Sequence, residues 1–272
     1  MPYSYASRDT LKARLQDTVT TDDAIYRSVL EAVTLAVDHE TGHRFQPHMA
    51  TRYQTPYSGL LLPLDMGLLA VTTLKTDADG NGVYETTWAA SDYTLMPLNA
   101  VPDERPYTKI QTAPAGTHAF PLFTASVEII GKWGYWQDLE LMAATLNEAL
   151  DASETGVDVS SGTAFKALDT IIIESEQMYV TAIATNTLTV ERGVNGTTAA
   201  THDTGKAINR YRYPAPVVEA LLIQSVRIFK RKDTPFGIVG GADMSAPMNI
   251  PTIDPDVKRL LGPYSRLVAR YA

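Results

Sequence analysis

The sequence predicts an α+β protein, and three observations carry that prediction. Apolar residues recur at helical spacing in two places, at Ile25, Val29, Ala32/Val33 and Ala36/Val37, and again at Val218, Leu221/Leu222, Ser225 and Phe229. Between these stripes the chain breaks into short β-type runs punctuated by Gly, Pro, Asn and Asp. The later β runs, 141–212, interrupt what otherwise reads as one frame, 1–140 and 213–236. The expected architecture is a helical frame with a small antiparallel β domain or sandwich, an inserted all-β module, and an extended C-terminal arm over 237–272.

In chain order, Ser7 is a plausible N-cap for a short helix with Leu11 and Leu15 one turn apart. Thr21, followed by Asp22 and Asp23, caps the longer helix, with the acidic pair at the positive end of the dipole. Gly42 is the natural residue to end it. From 50 to 132 the texture is β: Tyr53, then 60–64, 68–74, 83–88, 93–96, 107–110 and 127–130. Asp79-Gly80-Asn81-Gly82 marks a hairpin turn, because Gly and Asn accept positive φ cheaply. In the insertion, Ile171-Ile172-Ile173, Met178-Tyr179-Val180-Thr181 and Leu188-Thr189-Val190 are strands, with turns at Ala184-Thr185-Asn186 and Val194-Asn195-Gly196. Residues 141–150 are ambiguous, since their Ala, Leu and Glu content favours helix while their apolar spacing is weak. The helix over 216–232 ends Lys230-Arg231-Lys232, which complements its negative pole. Beyond it, Gly240-Gly241, Pro247 and Pro251 disfavour a continuous helix. Asp254-Pro255 then starts a last short helix that stops at Gly262-Pro263.

Composition narrows the function. The chain has 272 residues, 44% hydrophobic and 20% charged, which suits a globular protein with real cores. It has no cysteine, so disulfides and thiolate metal sites are excluded. No apolar run reaches the length of a membrane span, and residues 1–20 lack a signal-peptide stretch. A formal net charge of −8 argues against a protein that grips DNA non-specifically, because phosphate neutralisation supplies most of that affinity.

Two motifs imitate metal sites. His39-Glu40-Thr41-Gly42-His43 matches H-E-x-x-H, which in zinc peptidases puts two imidazoles on one helix face beside a general base. The downstream pattern fails here, and Pro47 blocks a continuing helix, so a helix end with Gly42 as cap is the expectation and no metal is assigned. Asp77-Ala78-Asp79-Gly80-Asn81-Gly82 imitates the start of a calcium loop, but Trp88 stands where the bidentate Glu belongs. Glu174 and Glu176 pair on one strand face with nothing marking them as catalytic. No Ser/His/Asp arrangement or phosphate-cradling loop stands out, so no catalytic residue or cofactor is assigned. Arg227, Lys230, Arg231 and Lys232 are candidates for contact with DNA phosphates, or simply helix-end charge. Trp133, Tyr135 and Trp136, with Phe229, are candidates for a subunit interface, since aromatics bury much area per residue. In the terminal helix Val257, Leu260 and Leu261 form too small an apolar set to stand alone, so it must pack against something. Arg259, Tyr264, Arg266 and Arg270 give it a basic, aromatic edge suited to an acidic partner.

In sequence order, several loose patterns assemble. They are Leu11-Lys12-x-Arg14-Leu15, Thr21-Asp22-Asp23, Asp38-x-x-Thr41-Gly42-x-x-Phe45 and Asp77-x-Asp79-Gly80. Asp92-Tyr93-x-Leu95-x-Pro97, Pro106-Tyr107-Thr108-x-Ile110, Gly131-Lys132-Trp133-Gly134-Tyr135 and Pro214-x-Pro216-Val217-x-Glu219-Ala220 follow, and Pro235-x-Gly237 closes the series. Together they resemble the head–tail connector (adaptor) proteins of long-tailed bacteriophages, over 7–137 and 214–272. The insertion resembles a small β module of phage structural proteins. Its marks are Glu176-Gln177-Met178 and the run from Leu188 through Glu191-Arg192-Gly193 and Asn195-Gly196 to Ala200-x-His202.

The resemblance implies a non-enzymatic virion neck protein, made in the host cytoplasm. It implies a homo-oligomeric ring of about twelve subunits below the portal, closed by a heterologous interface. That ring continues the DNA channel, touches passing DNA only transiently, and offers a platform to a tail-completion or head-closure protein. The portal is then the expected partner of the terminal helix, and no membrane is involved. The alternatives are a zinc metallopeptidase using His39, Glu40 and His43, or another tail or baseplate structural protein.

Overall fold

A computed structural model describes residues 3–114, 116–232 and 253–266. The chain is α+β, with four α-helices and two six-stranded antiparallel sheets among the described residues. It divides into two compact units. The first comprises 1–42, 138–194 and 198–272, and the second comprises 43–137 and 195–197.

The first unit begins with two helices. Helix α1 spans Arg8–Leu15, and its N-cap Ser7 accepts a hydrogen bond from the Thr10 N–H at 3.3 Å. Helix α2 spans Asp23–Thr41 and buries Tyr26, Leu30, Val33 and Val37, a face one residue later than the expected stripe: Val33 and Val37 are shared with it, while Ile25, Ala32 and Ala36 are exposed. Its cap is Asp22, one residue later than expected, and it ends at Gly42 with φ +68°.

The second unit holds the open sheet. Its strands are β1 (His48–Gln54), β2 (Leu61–Thr76), β3 (Thr86–Thr87), β4 (Tyr93–Met96), β5 (Tyr107–Thr112) and β6 (Val127–Trp133). The order is β1-β6-β2-β5-β4, with β3 paired on β2. The two expected runs at 60–64 and 68–74 are one long strand, whose register shifts at bulges rather than ending. Leu62, Leu68, Leu74, Ile110, Val127, Ile129 and Trp133 fill its core, with Trp88 stacked on Phe120 at 4.6 Å.

The first unit also holds the second sheet: β7 (Asp138–Thr145), β8 (Gly156–Asp158), β9 (Thr170–Ile173), β10 (Glu176–Ala184), β11 (Thr187–Glu191) and β12 (Ala207–Arg212). Its order is β7-β12-β9-β10-β11-β8. The two end strands then meet. Leu146 bridges Val159, the Asn147 N–H donates to Asp158 O at 2.8 Å, and the Ser160 N–H donates to Thr145 O at 2.9 Å. The sheet is thus a small closed barrel, and its interior is filled by Met142, Leu146, Val157, Phe165, Ile171, Ile173, Met178, Val180, Leu188 and Ile208. The ambiguous segment 141–150 opens as strand rather than helix. Met142 and Ala144 point into the barrel while Leu141, Ala143 and Thr145 face out, a period of two that its composition obscures.

The chain continues into α3 (Ala215–Lys230), with Pro216 in its first turn. Helix α3 packs on α2 and on the short helix α4 (Pro255–Leu261). No described helix is long and apolar enough to cross a membrane.

Candidate functional site

The helical layer of the first unit gathers most of the residues singled out by sequence. Three ties join segments far apart in the chain. Tyr26 of α2 packs on Phe229 of α3 with centroids 4.5 Å apart. The Arg14 guanidinium donates both Nη atoms to the Glu219 carboxylate, at 2.5 and 2.8 Å. Lys232 Nζ donates to Asp22 Oδ2 at 2.6 Å and lies 4.9 Å from the Phe229 ring centre. Phe229, expected at a subunit interface, is therefore a half-buried member of this chain's own α2–α3 contact.

The four cations expected along a DNA path divide. Arg227 pairs with Asp254 at 3.4 Å, and Lys232 is held by Asp22. Arg231 is half-buried and Lys230 is exposed at the helix end. Arg227 and Lys232 are thus matched within the chain.

Helix α4 lies on the same layer. Asp254 caps it by accepting from the Asp256 N–H at 2.9 Å, while the Asp254 N–H donates to Gln224 Oε1 of α3 at 3.3 Å. Val257 and Leu261 are buried, and the Arg266 N–H donates to Thr41 O at 2.7 Å. Sequence expects this helix to reach outward. Instead, residues 253–266 fold back on their own chain, because α2 and α3 already offer the apolar surface that a seven-residue helix needs. Val257 and Leu261 are consequently core residues, not exposed contacts. Leu260 and Tyr264 are half-buried, and Arg259 and Arg266 remain on the surface beside Lys258. Arg270 lies outside the described residues, as does most of the expected extended arm.

In the second unit, Trp133 is fully buried, a correction to its reading as an interface candidate. Its Nε1 donates to Ala50 O at 3.0 Å, and the Arg52 guanidinium lies 5.4 Å from its ring centre. An inward position on β6, which is paired on both sides by β1 and β2, gives it this place. Tyr135 and Trp136 are half-buried, and Tyr135 packs between His43 and Phe45 with centroids 5.2 and 5.1 Å away.

The metal-like motifs have plain geometries. Helix α2 stops at Thr41 and the Gly42 N–H closes on Asp38 O at 2.9 Å, so His43 does not continue the helical face that carries His39. At the hairpin tip, Asp77 accepts from the backbone N–H groups of Asp79, Gly80 and Gly82 at 3.1, 2.7 and 2.8 Å. Carboxylate oxygens of Asp77, Asp79 and Glu85 lie within 4.8 Å of one another. Trp88 is buried instead of standing as a ligand, donating to Thr76 Oγ1 at 3.1 Å.

The densest polar cluster is one that sequence quoted only as a pattern. Glu176, fully buried in the barrel unit, takes both arms of Arg192 at 2.6 and 2.8 Å. It also accepts from the Gly193 and Ala200 N–H groups at 3.1 and 2.9 Å. His202 spans the two glutamates, with Nδ1 2.8 Å from Glu174 and Nε2 2.9 Å from Glu176. Arg192 is held in turn by the carbonyls of Asp151, Glu154 and Ala200 at 2.7–2.8 Å. Burial opposes ionisation of Glu176, but the bonds from Arg192, Ala200, His202 and Gly193 outweigh it and hold the carboxyl below its usual range. These partners are fully engaged with one another, so the cluster braces the barrel.

No protein-family model matches the chain, nor does any curated protein sequence. A solved structure described as "Neck of empty GTA particle computed with C6 symmetry" is similar in fold at a TM-score of 0.43 and 12% identity, covering 97% of this chain and 92% of that one. At that identity and TM-score the likeness bears on neither function nor assembly.

Proposed function

We propose that this protein is a structural component of the neck of a long-tailed bacteriophage particle, a ring-forming head–tail connector that joins the portal to the tail and continues the DNA channel. The observation that carries the reading is the joining of two separated segments. The connector-like patterns over 7–42 and 214–232 stand on either side of the β segments in sequence, yet they pack as one antiparallel helical layer through Tyr26–Phe229, Arg14–Glu219 and Asp22–Lys232. A frame interrupted by an insertion needs such a junction.

In this reading the protein makes and breaks no bond. About twelve copies close by a heterologous interface, and the acidic balance of the chain lets DNA slide instead of gripping it. Residues 141–212 form a module on the ring's periphery. The exposed basic groups beside α4, Arg259 and Arg266 with Lys258, meet an acidic surface of the portal or of a neighbouring copy.

The test is a particle assembled with and without the protein. DNA-filled heads and free tails that fail to join in its absence, with ring density for this chain below the portal in a reconstruction of the complete particle, are the expected result. Normally joined particles lacking the chain, or its density at the baseplate, would overturn the reading.

A further inference from the structure

The imidazole of His202 is buried, with its side chain 1% exposed, and its two ring nitrogens face different carboxylates. Nδ1 lies 2.8 Å from Glu174 Oε2, and Nε2 lies 2.9 Å from Glu176 Oε2. An ionised carboxylate only accepts hydrogen bonds, and a neutral imidazole carries hydrogen on one nitrogen alone. A neutral ring would therefore turn a lone pair on one of the two glutamates. Only the imidazolium donates to both.

Both glutamates are placed to stay ionised. Glu176, in β10, takes two bonds from Arg192 and one each from the Gly193 and Ala200 N–H groups. Glu174, in the turn between β9 and β10, accepts from Lys206 Nζ at 2.6 Å. That bond first, and the one from His202 after it, hold its carboxyl below the ordinary range. The remaining charges stand behind these. Arg192 is held by the carbonyls of Asp151 and Glu154, with the Asp151 carboxylate attracted to it, and Asp203 attracts Lys206. The backbone of His202 pairs with that of Leu150, an apolar residue, through bonds of 2.8 and 2.9 Å. Ring and backbone together thus fasten the connection between β11 and β12, residues 192–206, to the rest of the barrel.

We propose that His202 is a pH-sensitive latch: as an imidazolium it ties Glu174 and Glu176 to the 192–206 connection, and loss of its second ring hydrogen loosens that end of the barrel. The latch is shut on the acid side. As pH rises and the hydrogen leaves, one nitrogen presents a lone pair to a carboxylate and that contact becomes repulsive. The sign is opposite to that of Glu176, whose contribution is lost in acid. The cluster therefore holds the barrel best in the interval between the two losses. The latch is independent of the neck reading and stands or falls by itself.

The full chain, labelled with nitrogen-15, tests this between about pH 5.5 and about pH 9. Ring-nitrogen chemical shifts count the hydrogens on His202. Amide-exchange protection, referred to the unfolded rate at each pH, reads the 192–206 connection. Both ring nitrogens are expected to carry hydrogen at the acid end. As the second hydrogen leaves, protection of the Ala200 and His202 amides should fall about tenfold, with the Leu30 and Val33 amides of α2 unchanged. Glu174→Gln separates a latch from plain bracing, and with that side chain 46% exposed the variant should fold. Its amide can donate to a bare Nδ1, so the variant should keep its protection at the alkaline end, where the parent loses it. Three results overturn the proposal: a single ring hydrogen throughout, protection indifferent to the second hydrogen, or a Glu174→Gln variant no better protected than the parent at the alkaline end.

Discussion

The two six-stranded sheets of this chain treat their edges in opposite ways. The barrel joins β7 to β8 through the Leu146–Val159 bridge and leaves no long free edge. The open sheet ends at β1 on one side and β4 on the other. Their surfaces differ accordingly. On the strands of the barrel, Leu141 is the one large apolar residue that is highly exposed, whereas the open-sheet unit exposes Tyr57, Leu60, Leu98, Val101 and Leu122. The interiors differ too. The open sheet is closed over by Trp88, Phe120 and Trp133, while the barrel unit adds to its aliphatic core one buried ionic cluster around Glu176. Closure commits a sheet's edges internally and leaves it self-sufficient. An open unit with apolar surface retains the means to bind something else.

If the ionic cluster braces the barrel, breaking it has the largest effect of any single change. Arg192→Ala leaves the fully buried Glu176 carboxylate without its main partner, and a cost of about 3–5 kcal/mol is expected. Hydrogen exchange at Ile171, Ile172 and Ile173 reads it, and unchanged protection there would remove the cluster from the barrel's stability. The corresponding change in the open sheet is apolar. Leu74→Ala deletes a buried side chain of β2 and should cost about 3 kcal/mol. All three tryptophans, Trp88, Trp133 and Trp136, lie in that unit, so fluorescence during urea unfolding follows it.

Acid tests the ionic cluster more gently. The Glu176 carboxyl is depressed in the folded chain, so its contribution is present above the unfolded glutamate value and is lost as pH falls through the folded one. Barrel stability should therefore decline on acidification below about pH 4.3. Glu176→Gln should give a curve that is lower at neutral pH and flatter in acid. Equal acid slopes for parent and variant, measured by urea midpoints, would show that another group carries the dependence.

How much of this was legible in the sequence depends on whether a residue's reason is local. The helices and their caps were, because those signals are local: Ser7, Gly42 and Asp254 each cap where the sequence places them, although the buried face of α2 runs one residue later than its stripe. The glycines of the quoted patterns were visible as patterns without their reasons. A Cβ at Gly131 would come 2.4 Å from Ala70 O on the neighbouring strand. One at Gly196, where φ is +79°, would come 2.0 Å from Met49 O. Both are contacts between residues distant in sequence. Glu174, Glu176, Arg192 and His202 were likewise quoted without roles, since only barrel closure brings them together. The inward turn of α4 had no local signal, because the surface it needs is built by α2 and α3.

The smallest expected effect on stability is the most useful for function. Tyr57 is 82% exposed and Leu122 67% exposed, and both belong to the open-sheet unit. The Phe120 N–H donates to Gly59 O at 2.8 Å, which ties the loop before β2 that carries Tyr57 to the stretch before β6 that carries Leu122. Replacing both by Ser removes apolar area that is already in water, so the free chain should change by no more than about 0.5 kcal/mol. A monomer has little use for such surface, whereas a ring or a stacked neck buries it at an interface of about 1,000 Å² or more. The double variant should therefore fold and melt like the parent yet join particles poorly in a complementation assay. Leu141→Ser on the barrel is the matched control, equally mild in the free chain and expected to assemble normally. If the control fails and the double variant succeeds, the roles assigned to the two sheets are reversed, and the closed barrel is the surface that other subunits meet.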